Sequence, residues 1–169
     1  MTTTQVLRRA SLFRPLSDEQ LDAVVRLGQV KQFDEGEVIF KQGEQAKIIY
    51  VLLDGLVRLR IKAPEELDVM AETLEGPGTV FGMAALSKSH VYNVTAKCIE
   101  NTEALAVDAS GLKEIIARDP LVGVEVMAEL AQLYSNRLNY TRAAVTNLFK
   151  IFKAQTHKSD VYSVYAEMG

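Results

Sequence analysis

The sequence predicts a mainly β domain, a barrel or sandwich of short strands, with helices flanking it at both ends. Three observations carry this reading. Gly36, Gly43, Gly55, Gly76, Gly78 and Gly82 punctuate a middle region, roughly 28–107, at the short intervals expected of many brief strands. Within it, Val57, Leu59 and Ile61 alternate with Arg58 and Arg60, the period-two pattern of a half-buried strand. On either side, apolar residues recur at helical spacing instead.

Taken in chain order, residues 1–27 form an N-terminal helical segment. Ser17 and Gln20 make a capping box, which satisfies two orphan amides at a helix start. Leu21, Val24, Val25 and Leu27 follow as its apolar stripe. The barrel takes residues 28–119. Ile48 to Leu53 is a β-rich run that stops at Asp54-Gly55, a pair that signals a hairpin turn. Glu65, Glu66, Asp68 and Glu72 fall on a second hairpin beside Ala63-Pro64, most simply as a solvated face. Leu112 to Arg118 predicts a short helix that ends before Pro120.

From Leu121 to about Ala154 the chain has no proline and no glycine after Gly123. Met127, Ala131, Tyr134, Leu138, Thr141, Val145, Leu148 and Phe152 are spaced alternately by four and three, a heptad seam. A helix of ~30 residues is ~45 Å long, more than a small barrel can cover. Residues 120–153 are therefore expected to form a dimerisation helix, a homodimer meeting through these side chains. The plainer alternative is a helix packed on its own barrel. Residues 154–169 read as a polar tail.

Composition narrows the function classes. The 169 residues suit one domain, and 48% hydrophobic content supports a real core. The net charge is -3 with both signs scattered, and no basic stripe marks a nucleic-acid binder. No apolar run approaches the ~18 residues of a membrane span. The N-terminus is polar, unlike a secretory signal, and Cys98 is the only cysteine, so no internal disulfide is possible. These features predict a cytoplasmic protein. Cys98, His90 and His157 are too few for a zinc site within one chain, so no metal is expected. Cys98 reads as a small buried hydrophobe. No hydrolase elbow, zinc-protease helix or phosphate-binding Gly-rich loop occurs, so no enzyme is expected.

An ordered series of turns resembles the cyclic-nucleotide-binding domain family. Phe33-Asp34-Glu35-Gly36-Glu37-Val38-Ile39 resembles the family's opening turn, and Gln42-Gly43-Glu44-Gln45-Ala46 its next. Tyr50-Val51-Leu52 and Gly55-Leu56-Val57 follow. Gly76-Pro77-Gly78-Thr79-Val80-Phe81-Gly82 then leads into Ala85-Leu86, the start of the family's phosphate-binding cassette, which here would span residues 76–95. Arg137-Leu138, Thr141, Val145 and Asn147-Leu148 resemble the central dimer helix of the catabolite activator protein family. The resemblance covers roughly residues 7–148. It implies a jelly-roll (double-stranded β-helix) sensor barrel, and Thr141 as a contact to the nucleotide base. The helix-turn-helix domain that follows in those regulators is not expected here.

The cassette departs from the family pattern. Met83 stands where the family has a glutamate for the ribose hydroxyl. Tyr92 or Asn93 stands where it has the arginine that pairs with the cyclic phosphate. No arginine occurs from Ile61 to Ala117, so a shifted alignment rescues nothing. Lys88 and Lys97 are the nearest cationic replacements, and Arg142 follows Thr141 on the helix. The expected ligand-contacting residues are Gly82, Met83, Ala84, Ala85, Tyr92, Asn93, Thr141 and Arg142. Met83, Ala84, Ala85, Tyr92 and Val94 make either an apolar pocket or a collapsed one. Some relatives bind haem, for which His90, the one histidine of the cassette loop, is the candidate ligand; the plainer reading is a polar surface residue. The expected function is a non-enzymatic ligand-sensing domain with a degenerate cassette, weakened toward cyclic nucleotides and acting through a partner. A ligand-free dimeric subunit of a larger assembly and a shortened transcription regulator are the alternatives.

Overall fold

The computed structural model describes the backbone of residues 2–62 and 68–166, and side chains throughout except at residues 62, 68–71, 144, 148, 152 and 154–166. The chain divides into two compact units, Met1–Ala131 and the stretch from Gln132 onward.

In the first unit two capped helices precede the strands. Helix α1 (Thr3–Arg9) starts at a Thr2–Gln5 capping box, and α2 (Asp18–Leu27) at the predicted Ser17–Gln20 box. In the second box the Ser17 hydroxyl accepts from the Gln20 amide at 3.2 Å, while the Gln20 side chain accepts from the Ser17 amide at 2.9 Å. A short 3-10 turn (Ser11–Phe13) joins the two helices and buries Leu12 and Phe13. Arg8 pairs with Asp18 across the junction.

Eight strands follow: β1 (Gly28–Phe33), β2 (Val38–Phe40), β3 (Ile48–Asp54), β4 (Leu56–Lys62), β5 (Asp68–Glu75), β6 (Val80–Phe81), β7 (Thr95–Cys98) and β8 (Thr102–Asp108). They form two antiparallel four-stranded sheets, ordered β1-β8-β3-β6 and β2-β7-β4-β5. This is the expected jelly-roll architecture, mainly β with flanking helices. The sheets differ in how they are covered. Ile49 to Leu52 and Ala104 to Val107 are buried without alternation, because α1, α2 and α3 (Ala109–Ala117) pack on the first sheet while its other face meets the core. In the second sheet Val57 and Leu59 are buried and Arg58 and Arg60 are not, the predicted alternation of a strand covered on one face.

The hairpin expected at Asp54-Gly55 is not one. β3 and β4 lie in different sheets, and the turn is a corner between them. Gly55 has φ +100°, and a Cβ there would lie 2.6 Å from Thr102 Oγ1 and 2.7 Å from the Asn101 carbonyl oxygen. A one-residue link closes no two-residue hairpin loop, so the chain turns the corner instead. The second predicted hairpin is present as the β4–β5 pair, with Arg58 opposite Thr73. Its tip, with Glu65 and Glu66, lies outside the described residues.

Helix α3 starts three residues earlier than its apolar pattern suggests. Asp108 caps it, accepting from the Gly111 amide at 2.8 Å. Helix α4 (Pro120–Ala166) opens with Pro120 at its first position and Asp119 accepting from the Val122 amide at 3.3 Å. It continues through residues 154–166, which were expected as a tail. That stretch has neither glycine nor proline, and polar residues alone do not end a helix. Among the described residues no helix is long and apolar enough to cross a membrane.

Candidate functional site

Strand β6 delivers the chain to Gly82, which turns it sharply with φ +74° into a single 3-10 turn, Met83–Leu86. A Cβ at Gly82 would lie 2.9 Å from the Ile48 carbonyl oxygen and 3.2 Å from Tyr50 Cδ2, so the backbone passes hard against β3. The turn carries its side chains inward. Met83 is 1% exposed, and Ala84 and Ala85 are buried beside it. Ser87 closes the turn through its hydroxyl, which donates to the Ala84 carbonyl at 2.8 Å.

The loop that follows is stitched to the Gln42–Ala46 turn. The Ala46 amide donates to the His90 carbonyl (2.7 Å), Tyr92 N–H to the Glu44 carbonyl (3.0 Å), and Gly43 N–H to the Tyr92 carbonyl (2.8 Å). This ladder aims Tyr92 into the barrel and leaves Asn93 in solvent. Tyr92 is 5% exposed. Its hydroxyl donates to the Ile48 carbonyl at 2.7 Å and accepts from the Ile48 amide at 3.3 Å. Its ring stacks on Phe40 with centroids 3.9 Å apart and planes 15° off parallel. Phe40 in turn stacks near Tyr50 and Phe81, and Phe33 meets Tyr50 edge-on. The inner end of the cassette is thus an aromatic cluster closed by a phenol with both hydrogen-bonding roles filled.

Burial sets the electrostatics of this cluster. It pushes the Tyr50 hydroxyl up to about 12, with the charges of Tyr92 and Glu44 adding to the effect. Burial also raises Tyr92, against the opposing hydrogen bonds from the backbone of Ile48 and Lys47. Cys98 is a buried thiol raised by desolvation, in keeping with a small core residue.

Of the residues singled out from sequence, the structure brings together Gly82, Met83, Ala84, Ala85 and Tyr92. Asn93, Lys88 and His90 are exposed, His90 with a φ of +46°. Thr141 and Arg142 belong to the second unit, both exposed; the Thr141 hydroxyl donates to the Arg137 carbonyl of its own helix at 3.0 Å. Sequence reading missed Phe40 as the ring partner of Tyr92, and Tyr50 and Phe81 as the rings stacked beyond it. Their strand positions alternate with the pleat, but nothing local says which aromatic meets which.

The family model for the cyclic nucleotide-binding domain matches residues 30–119. The chain belongs to that family. It is 31% identical over 127 residues to the cyclic AMP receptor protein of Thermus thermophilus, a match covering 75% of this chain and 58% of that one. It is 24% identical over 144 residues to a CRP-like cAMP-activated global transcriptional regulator of Mycobacterium tuberculosis, covering 85% of this chain and 62% of the relative. The chain therefore spans less than two thirds of either relative. The fold matches the sensor domain of the transcriptional regulator DNR from Pseudomonas aeruginosa with a TM-score of 0.70, at 23% identity, covering 80% of this chain and 91% of that one. Two of these three are named as transcriptional regulators and the third as a receptor protein. Met83 and Tyr92 are both packed inside the barrel.

Proposed function

We propose that this chain is a non-enzymatic regulatory domain of the cyclic-nucleotide-binding type whose cassette is closed by its own Tyr92. Cyclic AMP is then not its effector, and its output passes to a protein partner. One observation carries the reading: Tyr92, one of the two residues that the resemblance puts at the place of the phosphate-binding arginine, is buried, stacked on Phe40 and bonded to both backbone groups of Ile48. A ligand phosphate arriving there meets a tethered phenol, not a guanidinium. Displacing the ring forfeits a stack worth about 0.5–1.5 kcal/mol and two hydrogen bonds of about 1 kcal/mol each. The charge-assisted bonds that an arginine and a glutamate supply, about 1.5–3 kcal/mol each, are missing as well. Together these terms lower affinity by roughly three orders of magnitude or more. Gly82, Met83, Ala84 and Ala85 then serve as packing, and Asn93 is the one predicted contact of the loop left facing solvent.

The same reading includes a homodimer through α4. The described members of the predicted seam, Met127, Ala131, Tyr134, Leu138, Thr141 and Val145, are all exposed or half-buried in the single chain. Leu148 and Phe152 have side chains outside the described set.

A thermal melt with 1 mM cAMP, and cGMP alongside, tests the closed cassette. No shift is expected. A dissociation constant near 10 μM would add about 2.7 kcal/mol by mass action, several degrees in the midpoint, and would overturn the reading. The double variant Met83→Glu, Tyr92→Arg restores both missing groups and should gain a nucleotide-dependent shift.

A further inference from the structure

The second sheet carries a feature that the cassette does not use. Arg58 on β4 and Lys97 on β7 are directly opposite in the antiparallel register, so they share a face. That face is the outer one, since the flanking Val57 and Leu59, with Ala96 and Cys98, are buried in the core. Like charges placed opposite one another repel. Among the described residues no carboxylate pairs with either cation. Glu37, just before the neighbouring strand β2, spends a carboxylate oxygen on the Asp34 amide at 2.9 Å. The Arg58 Nε is buried and has no hydrogen-bond partner. A desolvated donor without an acceptor is costly, and side-chain N–H groups of this kind are normally satisfied.

We propose that the Arg58–Lys97 pair is the contact point for an acidic segment of a partner protein, a carboxylate seating between the two cations and accepting from Arg58. Guanidinium and carboxylate are matched in geometry, and Lys97 adds a second positive charge. Several observations favour a protein segment over other anions. The helices of this unit pack on β1, β3 and β8 of the first sheet, while Val38, in the same outer row opposite Lys97, is 37% exposed. The outer face of a sheet suits an extended peptide better than a small molecule, which needs a concave site. The net charge of -3 and the lack of a basic stripe argue against a nucleic acid. The apolar Val38 beside the cations offers the mixed surface a peptide can cover. This inference does not depend on the state of the cassette.

Proton–nitrogen correlation spectra of the full chain test it, because an arginine Nε–H has its own resonance. Titration with N-acetyl-hexaglutamate should shift the Arg58 Nε–H signal saturably, and hexaglutamine should not. Lys97→Ala should weaken the response at least fivefold. Arg58→Met should abolish binding while melting no lower than wild type, since the substitution removes a repulsion and an orphan donor. An unmoved Nε–H resonance overturns the proposal. So does an equal shift with inorganic phosphate at matched ionic strength, which marks an adventitious ion only. A melting midpoint several degrees lower in Arg58→Met marks a structural arginine and overturns it too.

Discussion

Tyr50 and Tyr92 both hold their protons to higher pH than a free tyrosine, because burial penalises the phenolate. A group whose proton is bound more tightly in the folded chain stabilises that chain fully below its unfolded value. The contribution is lost as pH climbs through the folded value. For Tyr50 the window runs from pH 10 to about 12. Stability should fall there by up to about 1.4 kcal/mol per pH unit for this one group. Urea midpoints measured across that window should decline, and Tyr50→Phe should flatten the decline without removing it, since Tyr92 titrates in the same direction. Under the proposed function, the phenol of Tyr92 is what closes the cassette. A tyrosine is long enough to reach the Ile48 backbone and flat enough to stack on Phe40 at 3.9 Å, whereas Asn93 next to it does neither and stays in solvent.

Among the elements, the corner at Gly55 has the largest consequence for the fold. It carries the chain from β3 in one sheet to β4 in the other, with its α-carbon against Thr102 and Asn101 of the turn into β8. Gly55→Ala puts a methyl group into a left-handed backbone conformation and within 2.7 Å of fixed backbone atoms. The expected cost is about 3 kcal/mol, from conformational strain plus overpacking. Chemical denaturation should show it as a lower midpoint at unchanged slope. The same element explains why the dipeptide Asp54-Gly55 misleads. A hairpin and a sheet-to-sheet corner both need a residue at positive φ, so they share a turn signature and differ only in where the next strand finds its partner.

At the scale of the whole molecule, α4 exposes apolar side chains that one chain leaves uncovered. In the second unit Leu138 is 52% exposed and Val145 45%, seven residues apart on one helical face. Burying such side chains contributes about 1.5–3 kcal/mol each, so a second copy is the natural cover under the proposed function. Sedimentation equilibrium should return twice the 18.7 kDa chain mass for the wild type. The double variant Leu138→Glu, Val145→Glu should return the monomer mass with the barrel's melting transition retained. A monomeric wild type would remove the homodimer from the reading.

Local sequence was sufficient wherever the governing interaction is local. The Ser17–Gln20 box, the alternation along β4, the start of α4 at Pro120 and the β-rich class all depend on residues within a few positions of one another. The expectation of a cassette without its usual charges rests on the identities of Met83 and of Tyr92 or Asn93, and it belongs to the proposed function. Tertiary structure decided the remainder, because those outcomes depend on partners far along the chain. Tyr92 turns inward because residues 43–46 hold its backbone and Ile48 and Phe40 receive its side chain. Asp54-Gly55 became a corner because β3 pairs with β6 and β8, while β4 pairs with β5 and β7. The opposition of Arg58 and Lys97, 39 positions apart, exists only once the register of β4 and β7 is set. Sequence periodicity tells which face a residue takes; only the pairing of distant strands determines what it meets there.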